Sequence, residues 1–113
     1  MRKLIAPLAV AALLGPAVAP AVAATRNVTV GDNWFVRPSG VPTVKVNKGD
    51  KVRWNFEGRS PHNVKKTKGP GPAFGSPTKE SGSYTKTLRK RGTYTLVCTV
   101  HGPRDQRMKL VVD

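Results

Sequence analysis

Three stretches of this chain alternate apolar and polar residues, the second and third with one apolar residue out of phase, and a period of two is the signature of a strand with one face in a core. In Lys51-Val52-Arg53-Trp54-Asn55-Phe56 the side chains of Val52, Trp54 and Phe56 must point one way and the polar residues the other. Thr93-Tyr94-Thr95-Leu96-Val97-Cys98 puts Tyr94, Leu96 and Cys98 on one face, and Arg107-Met108-Lys109-Leu110-Val111-Val112 does the same for Met108, Leu110 and Val112. Cys98 is therefore expected to face inward. Shorter candidates at residues 27–30, 43–46, 62–65 and 83–88 are separated by turn formers such as Asn47-Lys48-Gly49-Asp50, Pro38-Ser39-Gly40 and Arg91-Gly92. No segment from residue 24 onward sustains a 3.6-residue period. The expected fold is all-β, an antiparallel Greek-key sandwich of about seven to eight strands. Residues 65–82 read as one long loop with Phe74 as its anchor into the core, and Trp54, Phe56 and Tyr94 read as core rather than as an electron relay.

The N-terminus belongs to a different kind of segment. Arg2 and Lys3 precede an uncharged run, residues 4–23, that ends in Ala21-Val22-Ala23, the small-x-small pattern of a signal peptidase site. The expected organisation is a secretory signal peptide over residues 1–23 and a single domain over residues 24–113. The rival reading is a retained membrane anchor, since about 20 apolar residues suffice to span a bilayer, but Pro7, Pro16 and Pro20 oppose it. The sole cysteine lies far from the cleavage point, which argues against lipid anchoring.

Cleavage would remove two basic residues and no acid, lowering the formal charge of the 113-residue chain from +14 to +12. The destination is then the periplasm, the cell envelope or the exterior. For an exported chain that charge points away from nucleic acid and toward acidic redox partners or anionic envelope components. Lys65, Lys66 and Lys68, with Arg89-Lys90-Arg91, read as a solvated basic face.

A single cysteine cannot form an internal disulfide, and a free thiol in an oxidising compartment needs masking. Cys98 is followed three residues later by His101, and the other histidine, His62, also falls at a strand end. A sandwich can gather all three around one metal. A thiolate, two imidazoles and a weak axial donor form the type 1 copper set, whereas structural zinc takes four strong ligands and this chain offers three. A cysteine nucleophile with His101 as base lacks both an oxyanion hole and a third orienting residue, so the chain is not read as an enzyme.

These residues resemble the cupredoxins, the blue type 1 copper proteins of the plastocyanin, pseudoazurin and amicyanin kind. The likeness spans residues 27–113 and rests on Val44-Lys45-Val46, on Lys48-Gly49-Asp50-Lys51-Val52-Arg53-Trp54, on Pro61-His62-Asn63-Val64 and on Gly92-Thr93-Tyr94-Thr95-Leu96-Val97-Cys98-Thr99-Val100-His101. The resemblance implies one copper ion held by His62, Cys98 and His101, with Asn63 tying the two ligand loops together by hydrogen bonds. The axial position departs from the pattern. Where plastocyanin-like loops carry a methionine, this chain has Gln106, which resembles the axial glutamine of the stellacyanins; Met108 is the rival, and a site without a protein axial ligand is the third option. A harder oxygen donor favours Cu(II) and lowers the reduction potential.

The function implied is one-electron transfer by a monomer between redox partner proteins. Electrons would pass through His101, with Gly102, Pro103 and Pro61 forming an uncharged docking patch rimmed by Arg104, Arg107 and the lysines. The alternative is copper delivery or buffering without a redox cycle, and a third reading is a metal-free structural module of the same fold.

Overall fold

The computed structural model describes residues 22–113; the expected signal peptide lies outside the described residues save for its last two positions. Eight strands form two four-stranded sheets: β1 (Thr25–Gly31), β2 (Trp34–Phe35), β3 (Thr43–Val46), β4 (Lys51–Phe56), β5 (Lys65–Lys68), β6 (Ser83–Thr87), β7 (Gly92–Val97) and β8 (Arg107–Val112). One sheet runs β2-β1-β4-β6 and the other β3-β8-β7-β5. Among the described residues there is no helix, and so none that could cross a membrane.

The three alternating stretches pack as their period requires. Val52, Trp54 and Phe56 from one sheet meet Tyr94, Leu96, Cys98, Met108, Leu110 and Val112 from the other, all buried, in a single core. Phe74, from the long loop, is partly buried against it. Inside this sandwich two pairings run parallel rather than antiparallel, β1 with β4 and β3 with β8. The chain leaves the first sheet after β2, lays β3 in the second and returns as β4 beside β1, so the two neighbours point the same way.

Three expectations shift. Residues 62–65 do not form a ladder strand; the sheet strand starts only at Lys65 and runs to Lys68, so residues 65–68 are strand and not the start of the expected loop. The reason is that His62 exchanges backbone hydrogen bonds with Lys79, and Ser76 takes both backbone groups of Val64, so the segment is laced to the long loop instead. Lys66 does not belong to the solvated face. It is 8% exposed, and its ammonium turns inward to donate to the carbonyls of Pro70, Gly71 and Pro72. The two-residue strand β2 was too short to leave a periodic trace.

Candidate metal centre

The site forms at one end of the sandwich, where the strands stop. Cys98 immediately follows β7 and Gln106 immediately precedes β8; Val97 pairs with Arg107, so Cys98 and Gln106 face each other one step further along the hairpin. The Cys98 N–H donates to the Gln106 carbonyl at 3.1 Å and closes the intervening loop. Within it Gly102 adopts φ +87°, a left-handed conformation that favours glycine, and its N–H returns to the Cys98 carbonyl at 2.8 Å. That turn folds His101 back over the cysteine.

His62 arrives from the other loop. The structure brings His62, Cys98 and His101 together, with one donor atom of each lying within 4.8 Å of the others. Cys98 Sγ is 3.8 Å from His62 Nδ1 and 3.6 Å from His101 Nδ1, and the imidazole centroids are 4.7 Å apart. A metal ~2.0 Å from nitrogen and ~2.3 Å from sulfur holds an N···S pair about 3.7 Å apart at a trigonal angle. The measured separations straddle that value. His62 and Cys98 are fully buried and His101 is half-buried.

The orientation of Gln106 follows from its partners. Its side-chain Nε2 donates to the carbonyls of Gly31 at 3.1 Å and Trp34 at 2.9 Å, and a flipped amide would put oxygen against both. Oε1 is thereby aimed at His62 Nδ1, 3.0 Å away. Met108 lies elsewhere: it pairs across the ladder with Leu96, and its Sδ accepts the indole N–H of Trp54 at 3.5 Å. Register alone separates the two, because both face inward and only Gln106 stands level with the cysteine.

Between the ligand loops Asn63 forms a reciprocal pair, donating from Nδ2 to Thr99 Oγ1 and accepting the Thr99 N–H, both at 2.8 Å. A residue not singled out from the sequence completes the surroundings. Asp32, in the turn between β1 and β2, places Oδ1 2.9 Å from His62 Nε2. Its carboxylate accepts the Arg59 N–H, the His62 ring, and the backbone N–H and hydroxyl of Ser60, and these donors hold it well below the usual carboxylate range.

An ionised carboxylate only accepts, so Nε2 of a neutral His62 carries the ring hydrogen and Nδ1 presents a lone pair. The 3.0 Å contact between Nδ1 and Oε1 then has no hydrogen of its own. Ring nitrogen and amide oxygen converge as acceptors beside the Cys98 sulfur, and a cation set among them, with Cys98 as the thiolate, satisfies all three. The donor set, one sulfur, two imidazoles and an amide oxygen, fits copper better than a four-strong-ligand zinc site.

No family model and no curated protein matches the chain. Solved structures do. The chain is similar to the Cu(I) form of a methionine-to-glutamine variant of amicyanin, with 32% identity over 79% of this chain and 82% of the other, at a TM-score of 0.65. It is also similar to an oxidised methionine-to-lysine variant of amicyanin, with 31% identity, the same coverage and a TM-score of 0.62. The Cu(I) form of a methionine-to-alanine variant gives 31% identity, again 79% and 82% coverage, and a TM-score of 0.63.

Proposed function

Because the chain belongs to the cupredoxins, the family of amicyanin, and binds one type 1 copper ion, we propose that it is an exported one-electron carrier in which His62, Cys98 and His101 ligate the metal and Gln106 is the axial donor. Copper supplies the Cu(II)/Cu(I) couple. The protein's part is to keep the donor atoms still, so that little rearrangement accompanies each electron. Cys98 is pinned by the Gln106 carbonyl, His62 by its backbone pair with Lys79, and the two loops by the Asn63–Thr99 pair. The observation that carries the reading is the convergence of the only cysteine and the only two histidines on one point at the end of the sandwich.

His101 is the sole half-buried member of the three, and we read it as the electron port. Gly102 and Pro103 follow it in the chain and Pro61 precedes His62, an uncharged set that we read as the docking patch. A groove beside that loop is lined by Lys68, Arg107 and Lys109 together with Gly102 and Pro103, which suits a redox partner with an acidic docking surface. The remaining positive charge gives a secondary attraction to anionic envelope components, screened by salt over about 8–10 Å. Residues 1–23 act as the export signal, and the mature chain works as a monomer. As a cupredoxin it is read as a carrier and not as an enzyme.

The test is to add Cu(II) to the purified chain 24–113 and record visible and EPR spectra. An intense thiolate-to-copper band, lost in Cys98→Ser, is expected, and a colourless wild-type protein would overturn the reading. His101→Gly should bind copper yet exchange electrons slowly; unchanged exchange refutes the port. Slow exchange in the wild type, with ready release of one oxidation state to a chelator, would favour copper delivery.

A further inference from the structure

One carboxylate approaches the metal site, and it comes from a turn far from the ligands in the chain. We propose that Asp32 is a positioning residue for the copper: it holds the His62 ring with Nδ1 turned to the metal and, through that ring, stabilises Cu(II) over Cu(I). This inference rests on the copper reading above.

The geometry is specific. Asp32 Oδ1 accepts from His62 Nε2 at 2.9 Å, from Ser60 Oγ at 2.9 Å and from the Ser60 N–H at 3.1 Å, while the Arg59 N–H lies 2.9 Å from both carboxylate oxygens. Three of these donors belong to the segment that leads into His62, so the same carboxylate sets the path of the chain and the angle of the ring. The neighbour at position 58 points to the same pair. A Cβ on Gly58 would lie 2.4 Å from Asp32 Oδ1 and 2.9 Å from His62 Nε2, so any side chain there would wedge between acid and imidazole. Glycine leaves the acid–imidazole contact the room that a Cβ would take.

A metal-bound histidine whose other nitrogen donates to a carboxylate is a more basic ligand with a fixed tautomer. The added negative charge favours the more positive oxidation state. Asp32 is 42% exposed while His62 is 1% exposed, so solvent screens the charge but not the ring it acts through. The same turn also supplies the Gly31 and Trp34 carbonyls that orient Gln106. One four-residue segment, Gly31-Asp32-Asn33-Trp34, thus sets the direction of two donors from different loops.

Asp32→Asn tests this. The amide oxygen can keep the bonds made by Oδ1, while the charge is gone. Outer partners of metal-bound histidines are worth 10–100-fold in affinity, and the exposed position argues for the lower end. Cu(II) binding should weaken about tenfold relative to Cu(I), which is a rise of about 59 mV in the reduction potential of a one-electron couple. Gly58→Ala should raise it in the same direction. Independently of copper, ¹⁵N NMR of the metal-free protein should find the His62 hydrogen on Nε2, and Asp32→Ala should mix the tautomers.

An Asp32→Asn protein with lowered thermal stability but an unchanged potential would make Asp32 a loop clamp only and overturn the proposal. So would a ring hydrogen on Nδ1 in the wild type. A wild-type protein that takes up no copper would instead overturn the metal reading, and the NMR arm would still decide whether Asp32 orients the ring.

Discussion

Replacing Gln106 by Met separates what its oxygen does from what its nitrogen does. The side chain is fully buried, and Nε2 donates to two carbonyls, Gly31 O in the interior and Trp34 O, which is partly buried. Methionine fills similar space, so no cavity term enters, but it offers no donor. An orphaned buried acceptor costs about 1–3 kcal/mol, less where water can reach it. Counting Gly31 O in full and Trp34 O in part gives a loss of about 2–4 kcal/mol. For a domain of this size each kcal/mol shifts Tm by about 4–8 °C, so a drop of roughly 8–32 °C is expected. The potential should move up, because a thioether favours Cu(II) less than an amide oxygen. Stability must be measured by urea and thermal unfolding on metal-free protein, since bound copper would add its own stabilisation. Metal-free Gln106→Met within about 0.5 kcal/mol of the wild type would refute the two carbonyl bonds, given that each should exceed that value, and with them the reason Oε1 faces the site.

Three further outcomes follow from groups remote from the metal. Lys66→Met removes an ammonium that donates to three carbonyls and lies 5.5 Å from the Tyr94 ring centroid. Charge-assisted bonds are the strong ones, but the freed carbonyls sit on a loop that water reaches, so a loss of about 2 kcal/mol is expected. Limited proteolysis between residues 69 and 75 should quicken; an unaltered cleavage rate would count against the inward lysine. Asp50 accepts the N–H groups of Ala24 and Asn47, which hold its carboxyl below the ordinary value. A lowered folded pKa means stabilisation that is complete above about pH 5 and drains away as acid titrates the group toward its folded value. Asp50→Asn should therefore flatten the acid limb of a plot of stability against pH. If cleavage falls after Ala23, the new ammonium pairs with Asp50, and chain 24–113 should melt higher than the same chain with an N-terminal extension.

What could be read from the residue order was whatever is local. Alternation in Lys51–Phe56 and Arg107–Val112 survives into the fold because side-chain direction along a strand depends only on the backbone. Cys98 and His101 are three residues apart, and His62, though distant, stood out as the one other histidine and at a strand end, with the resemblance then giving it its role. Gln106 and Met108 could not be told apart by parity. Only the pairing of Val97 with Arg107 put the glutamine level with the cysteine and the methionine beside Leu96.

The tertiary structure alone decided the rest. Asp32 meets His62 across 30 positions, and Gln106 meets Trp34 and Gly31 across 72 and 75. A hydrogen bond between segments so far apart has no period and no neighbouring cue; it exists because two sheets stack and bring their loop ends together. Lys66 turned inward for a similar reason, since three loop carbonyls gathered by the fold outweigh the water its charge would have kept.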